Sequence, residues 1–372
     1  MKYEYHYFTQ ALIHLKNLSH NLSVIRSLAG KEKKMIIPVK CNAYSFGMIR
    51  VARFLMSQHI DSLAVAFPFE GFILRKNKIS SPVLCFNEPL HCDDFVKMIR
   101  EKITPTVYTE RSLCAFNTLA KKKIKVHINI DTGMGRIGVP YKKAFSFIKK
   151  AFQLSHIHVE GVYSHLSSAD ETRKDFTQRQ IKQFSDLARQ LKNSGYNVPL
   201  LHLSNSAGII NYPDLPFNTI RPGIMFYGYF PDNHIKKSIP LKGGMTLRSI
   251  ISFLKKTQAR SPISYGHTYY TKKNEVIATV SLGYGDGLAR LLSNHHDVLV
   301  QGQKCPVRGR ICMDQFMIDT SRVKSVKQGD PVTIFGQDGR GQILLEDVAR
   351  KLKTIPYEVL CQIGPRVERI YV

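Results

Sequence analysis

The chain has 372 residues, 43% hydrophobic and 22% charged, with 24 Gly and 17 Pro, proportions that exclude a wholly disordered or fibrous protein and suit one large domain with a smaller one. A formal net charge of +26 raises nucleic acid as a partner, yet the excess is spread evenly: residues 1–240 carry 34 basic against 17 acidic side chains, and residues 241–372 carry 20 against 11. The longest basic run is only Lys121-Lys122-Lys123, so the charge reads as a solvated basic surface and no nucleic-acid partner is expected.

Strand-like apolar runs lie at 35–40, 63–67, 82–86, 104–108, 125–130, 158–164 and 200–203, with a shorter one at 218–221. Between them run amphipathic stretches such as 142–153 and 178–192, the latter with Ile181, Phe184, Leu187, Ala188 and Leu191 at helical spacing. Eight short strands alternating with helices over residues 1–240 predict an α/β fold, a closed (β/α)8 barrel of the TIM type, although an open doubly wound sheet has the same periodicity. After Pro240 the pattern changes. Short β-like runs with Gly turns lie at 246–253, 275–282, 298–300, 311–318 and 332–335, with one helix at 345–353, so residues 241–372 read as a mostly-β C-terminal domain. No run of about 18 apolar residues is present, so no membrane span is expected. The opening Met1-Lys2-Tyr3-Glu4-Tyr5-His6 lacks the apolar core of a signal peptide. Seven cysteines, none in a CxxC pair, read against zinc and disulfides and for a reducing, cytoplasmic setting.

Several segments bear groups that could carry chemistry. In Pro38-Val39-Lys40-Cys41-Asn42-Ala43-Tyr44 a lysine closes an apolar strand. Burial would free its amine for Schiff-base formation, whereas a lysine at a strand end ordinarily snorkels to solvent. Asp131-Thr132-Gly133-Met134-Gly135-Arg136-Ile137-Gly138 puts three glycines and an arginine directly after a strand, which suits either an anionic ligand or a tight structural turn. His165 follows another strand, where a structural role is the ordinary one. Loops after the seventh and eighth barrel strands commonly bind phosphate, and here they hold Asn205, Ser206, Arg221, Gly223 and Ile224. A lysine after strand one and a phosphate cradle after strands seven and eight together suit pyridoxal phosphate.

The same segments resemble the bacterial alanine racemases. Val39 to Tyr44 is similar to that family's cofactor-lysine motif, and Asp131 to Gly138 to its glycine-arginine loop. Further matches follow in family order: Arg221-Pro222-Gly223-Ile224 with Tyr227-Gly228, Ser264-Tyr265-Gly266, Gly283-Tyr284-Gly285-Asp286-Gly287, Gly309 to Gln315, and Arg366-Val367-Glu368-Arg369. The resemblance implies a head-to-tail homodimer that shares its active sites and acts on a small amino acid. It further implies that Lys40 holds pyridoxal 5'-phosphate as an internal aldimine and is one base, with Tyr265 of the partner chain as the opposite base. By the same likeness His165 lies against the cofactor ring, Arg221 donates to the pyridine nitrogen and Arg136 to the phenolic oxygen. Tyr44, Ser206, Gly223, Ile224 and Tyr357 surround the phosphate, Asn205 adjoins them, and Met313 of the partner chain holds the substrate carboxylate. The implied activity is interconversion of L- and D-alanine for peptidoglycan. A racemase of broader range, a decarboxylase of the same architecture and a non-catalytic cofactor-binding protein are the alternatives. Three positions depart from the family pattern. Asn129 replaces a frequent, often carbamylated lysine, so Arg136 is expected to be held by direct hydrogen bonding or a bound anion. Tyr44-Ser45-Phe46-Gly47 lacks the usual glycine-histidine pair, and Glu368 stands where proline is usual.

Overall fold

The computed structural model describes residues 8–232, 235 and 239–372, and these form two compact units. In the first, eight parallel strands follow the chain: Lys34–Pro38, Ser62–Val65, Val83–Cys85, Thr104–Val107, Ile124–Asp131, Ile157–Tyr163, Leu200–His202 and Thr219–Ile220. Each pairs with the next, and the last closes on the first, with Thr219 opposite Lys34, which makes a closed barrel and removes the open-sheet alternative. The strands are covered on both faces, so they read as continuous apolar runs; Met35, Ile36 and Ile37 are buried together.

The outer helices bury one stripe each. Met48–Ser57 buries Met48, Val51, Ala52 and Leu55, and Tyr141–Gln153 buries Ala144, Phe147, Ile148 and Ala151, both at helical spacing. The stretch predicted at 178–192 is a helix from Asp175 to Asn193 that buries Phe184, Leu187 and Leu191. Every functional segment named from the barrel sequence leaves the carboxyl end of a strand, which gathers those segments at one mouth.

The second unit is a nine-stranded sheet with two short helices, Leu345–Lys351 and Pro356–Cys361. Its longest strand, Met245–Thr257, pairs with Glu275–Val280, with Pro331–Asp338 and with Gln10–Ile13. Gln10–Ile13 also lies parallel to Glu368–Tyr371. Gln10–Ile13 finds its ladder in this sheet, so residues 8–20 and 227–232 cluster with 241–372. The strand expected over 311–318 begins later, at Phe316. Cys312 N–H turns back to the carbonyl of Gln315, and the carbonyls of Cys312 and Met313 accept from Tyr284 and Gly285. Among the described residues no helix is long and apolar enough to cross a membrane.

Candidate active site

Lys40 is half-buried at the end of the first barrel strand, and the backbone that follows it is unusual. Cys41, Asn42, Ala43, Tyr44 and Ser45 all have positive φ, between 52° and 66°. Left-handed geometry costs a non-glycine residue about 1–2 kcal/mol, so neighbours must over-determine it. Glu70, itself buried, accepts from Cys41 N–H at 2.7 Å and from Ala66 and Phe67 N–H at 2.7 and 3.2 Å. Asn42 Oδ1 accepts from Met48 N–H at 2.8 Å and starts the next helix.

The turn buries Tyr44 and aims it at the loop after the eighth strand. A Cβ on Gly223 would sit 3.2 Å from Tyr44 Oη and 3.6 Å from Ser206 Oγ, so only glycine leaves this space open. Ser206 Oγ accepts from the amides of Gly223 at 2.9 Å and Met225 at 3.3 Å. Asn205 Oδ1 caps the helix Ser206–Asn211 through Gly208 N–H, while its Nδ2 donates to the carbonyl of Leu166. Ile224 is fully buried. Tyr44, Ser206 and Gly223 thus come together, with Asn205 and Ile224 beside them in the chain.

Arg221 is buried and heavily bonded. Its Nη1 donates to His202 Nδ1 at 2.7 Å and to the His202 carbonyl, and its Nη2 donates to the carbonyls of Ser164 and Leu203. Among the described residues nothing accepts from its Nε–H. Burial pulls the guanidinium down to about 10, against the opposing influence of Tyr163, whose ring lies 5.0 Å beneath it. His165 Nδ1 lies 3.4 Å from Arg221 Nη2. Burial first, then the charges of Arg221, Arg136 and Lys40, hold this imidazole well below its ordinary range, so it is neutral at physiological pH. The three cations acting on this neutral ring give the barrel mouth a positive potential that attracts an anion.

The third segment is the loop after Ile124–Asp131. Asp131 Oδ1 accepts from Gly133 and Gly135 N–H at 2.8 and 3.1 Å, and Gly138 has φ +125° with the backbone of Asp131 where a Cβ would go. Arg136 is exposed, and among the described residues no hydrogen bond or ion pair fixes its guanidinium, so of the two expected means of holding it direct bonding is not the one seen. Asn129 is buried and donates to the Ile137 carbonyl at 3.5 Å, so it supports the loop backbone and not the arginine.

Tyr265, Met313 and Tyr357 lie in the other unit. Tyr265 is 70% exposed on a turn where Ser264, Gly266 and His267 all have positive φ. That turn packs on the segment before Met313: Ser264 Oγ donates to the Arg310 carbonyl at 2.6 Å, and a Cβ on Gly266 would lie 2.7 Å from Arg310 Nη1. Met313 is 54% exposed. Its carbonyl accepts from Gly285 N–H at 2.9 Å, and Arg366 bridges Asp286 and Asp314 at 2.9 and 2.8 Å. Tyr357 sits half-buried on the helix Pro356–Cys361.

Residues 13–231 match the family model of the alanine racemase N-terminal domain, and residues 244–371 match that of the C-terminal domain. The chain belongs to the alanine racemase family. It is 40% identical over 366 residues to the alanine racemase of Halothermothrix orenii, covering 98% of this chain and 96% of that one. The alanine racemase of Methanococcus maripaludis is 38% identical, over 97% and 98% of the two chains. Among solved structures, the alanine racemase of Clostridium difficile 630 superposes with a TM-score of 0.92 at 37% identity, over 99% of this chain and 97% of that one. The family is one of isomerases, and its barrel followed by a β domain is the architecture described above.

Residue types alone missed the groups that hold these side chains. Glu70 is one; its signal was an acid in the first turn of a helix opened by Pro68. Gln180, fully buried, is another: its Nε2 donates to Thr132 Oγ1 and the His165 carbonyl, while its Oε1 accepts from Ser167 N–H. It ties the arginine loop to the histidine loop. A polar glutamine on a helix otherwise reads as solvent-facing, so nothing in the sequence marks it.

Proposed function

We propose that the chain is an alanine racemase that binds pyridoxal 5'-phosphate and interconverts L- and D-alanine with two bases, supplying D-alanine for peptidoglycan in the cytoplasm. The observation that carries this reading is the barrel mouth. A half-buried lysine, a neutral histidine and an arginine with only Nε–H unengaged surround a cradle of Tyr44, Ser206 and Gly223. This donor set fits pyridoxal phosphate. The Tyr44 and Ser206 hydroxyls and the Ile224 amide suit its phosphate, with Gly223 leaving the space between them open. Arg221 Nε–H suits the ring nitrogen, Arg136 the phenolic oxygen, and Lys40 the covalent attachment. When bound, the cofactor acts as an electron sink that acidifies the substrate Cα–H.

The chain's own residues then handle protons. Lys40 Nζ takes or gives the Cα proton on one face, and Tyr265 Oη of the partner chain does so on the other. Racemisation needs both, because one base returns the proton to the face it left. His165 stays neutral, so it packs against the ring without adding charge and helps set the acidity of that tyrosine. Arg221 keeps its proton even when buried, so it donates and does not accept. Met313 of the partner chain holds the substrate carboxylate. The exposure of Tyr265 and Met313 supports a head-to-tail homodimer in which each chain completes its partner's site.

The test is cofactor-loaded protein with L-alanine in D2O, following optical rotation and Cα deuterium by NMR. Loss of rotation with deuterium in both enantiomers is expected. Lys40→Ala abolishes it, and Tyr265→Phe slows loss of rotation far more than exchange. Deuterium entering without inversion would refute the role of Tyr265, and absence of both signals would refute the alanine reading.

A further inference from the structure

Behind Arg221 a line of titratable side chains runs along the barrel interior. Arg221 Nη1 lies 2.7 Å from His202 Nδ1, His202 Nε2 lies 2.9 Å from His127 Nδ1, and His127 Nε2 lies 3.5 Å from Glu160 Oε2. The other oxygen of Glu160 meets Lys125 Nζ at 2.6 Å. A guanidinium can only donate, so His202 Nδ1 accepts and its proton sits on Nε2. His127 Nδ1 then accepts in turn, and its own Nε2–H points at a carboxylate that can only accept. Every member has one permitted direction. Reversal at any link sets two N–H groups, or two lone pairs, against each other in a buried site.

Two independent features show that space is made for this line. The pairing of Ile124–Asp131 with Ile157–Tyr163 slips between Val126 and His127, and Glu160 is the extra residue of that bulge. One carboxylate thereby reaches both exposed Lys125 and buried His127. Beside it, Gly161 stands opposite His127, and a Cβ there would lie within 2.5 Å of His127 Nδ1. His202 is further fixed by the Tyr163 ring, stacked at 4.6 Å and 12°.

We propose that His202, His127 and Glu160 are positioning residues for Arg221, a one-way relay that fixes both imidazoles as Nε2–H tautomers and ties the guanidinium to the Glu160–Lys125 pair. The role for Arg221 rests on the proposed function; the tautomers do not. The charged groups facing the relay are consistent with it. Burial holds His127 down against Glu160, with Arg221 and Lys125 adding to the effect, and burial, Arg221 and His127 hold His202 well below its ordinary range. Burial works to raise Glu160, but its bonds to His127 and Lys125 outweigh this and carry it to about 2. The relay therefore ends on an ionised acceptor while both rings stay neutral.

The test is long-range 1H–15N NMR of histidine-labelled full-length protein, first without added cofactor and then loaded with pyridoxal phosphate. Wild type is expected to show Nε2–H tautomers at His127 and His202 from pH 6 to 9. In Glu160→Leu the nitrogens of His202, two links away, move towards tautomer-averaged shifts, and in Glu160→Gln, whose amide oxygen still accepts, they return. A wild-type His202 protonated on Nδ1 overturns the relay, whether or not the leucine variant folds, and so does a response confined to His127. Alanine turnover is followed alongside. Its absence in loaded wild type refutes the proposed function and leaves the tautomers standing. With turnover present, Glu160→Leu lowers kcat about tenfold at unchanged KM, the scale of losing one hydrogen bond from a buried network, and an unchanged kcat overturns the positioning role.

Discussion

Lys40 is followed, and Tyr265 is flanked, by residues with positive φ, yet the two turns are held in opposite ways. The five residues after Lys40 are all non-glycine and are clamped by buried polar groups, Glu70 above all. The turn at Tyr265 includes a glycine and, beside the Ser264 hydroxyl bond to the Arg310 carbonyl, depends on close approach at glycines, with Gly266 against the Arg310 guanidinium, Gly309 against the Ile263 backbone, and Gly283 against the Met313 backbone on the adjoining loop. The first arrangement resists displacement because undoing it strands hydrogen-bonding groups away from water. The second costs less backbone energy but depends on missing side chains. One turn belongs to a barrel whose mouth is already furnished. The other presents Tyr265 outward, exposed to solvent.

Breaking the polar clamp gives the largest effect. Glu70→Ala removes the acceptor of three backbone N–H groups, those of Cys41, Ala66 and Phe67. Stranding part of this set costs about 3 kcal/mol, read as a lower urea midpoint. The left-handed turn relaxes with it, so on the proposed role of Lys40 cofactor attachment is lost and racemisation falls further than stability. A stable Glu70→Ala chain that still holds cofactor would show that the turn is fixed by its own contacts.

The glycine side of the contrast is tested by Gly283→Ala. An added methyl would collide with the carbonyl oxygens of Met313 and Cys312, which are backbone atoms and cannot swing aside. Overpacking of this kind costs about 2 kcal/mol. Because the displaced carbonyl belongs to Met313, the expected kinetic signature is a raised KM for alanine with cofactor binding intact. A KM that does not move would separate Met313 from the substrate.

How much of this was legible in the sequence follows the same divide. The eight barrel strands stand within a few residues of their predicted places, because parallel strands covered on both faces leave uninterrupted apolar runs. Gln10–Ile13 was not legible. Four residues carry too little periodicity, and its ladder partners lie over 230 residues away. The segment 311–315 looked like strand because Ile311 and Cys312 are apolar, but its carbonyls are taken by the 283–285 turn. In the candidate site, the residues proposed to meet a ligand sit in glycine-marked loops and could be named from them. Glu70, Gln180, His127 and Glu160 act through other residues across the fold, and no local pattern announces such a role.

The arginine loop supplies the smallest effect. Asn129 stands where a lysine is frequent in the family pattern, and its one bond to this loop is a 3.5 Å donation to Ile137. A bond that long is weak, so Asn129→Ala is expected to change stability by no more than about 1 kcal/mol, with little effect on KM. Asp131 does more, since one carboxylate oxygen gathers the amides of Gly133 and Gly135 and shapes the turn that carries Arg136. Asp131→Ala should therefore raise KM for alanine while Asn129→Ala does not, measured side by side on loaded protein. The reverse order would place control of Arg136 with the asparagine. The difference matters because Arg136 is exposed and unpinned among the described residues, so the loop backbone is what determines where its charge falls.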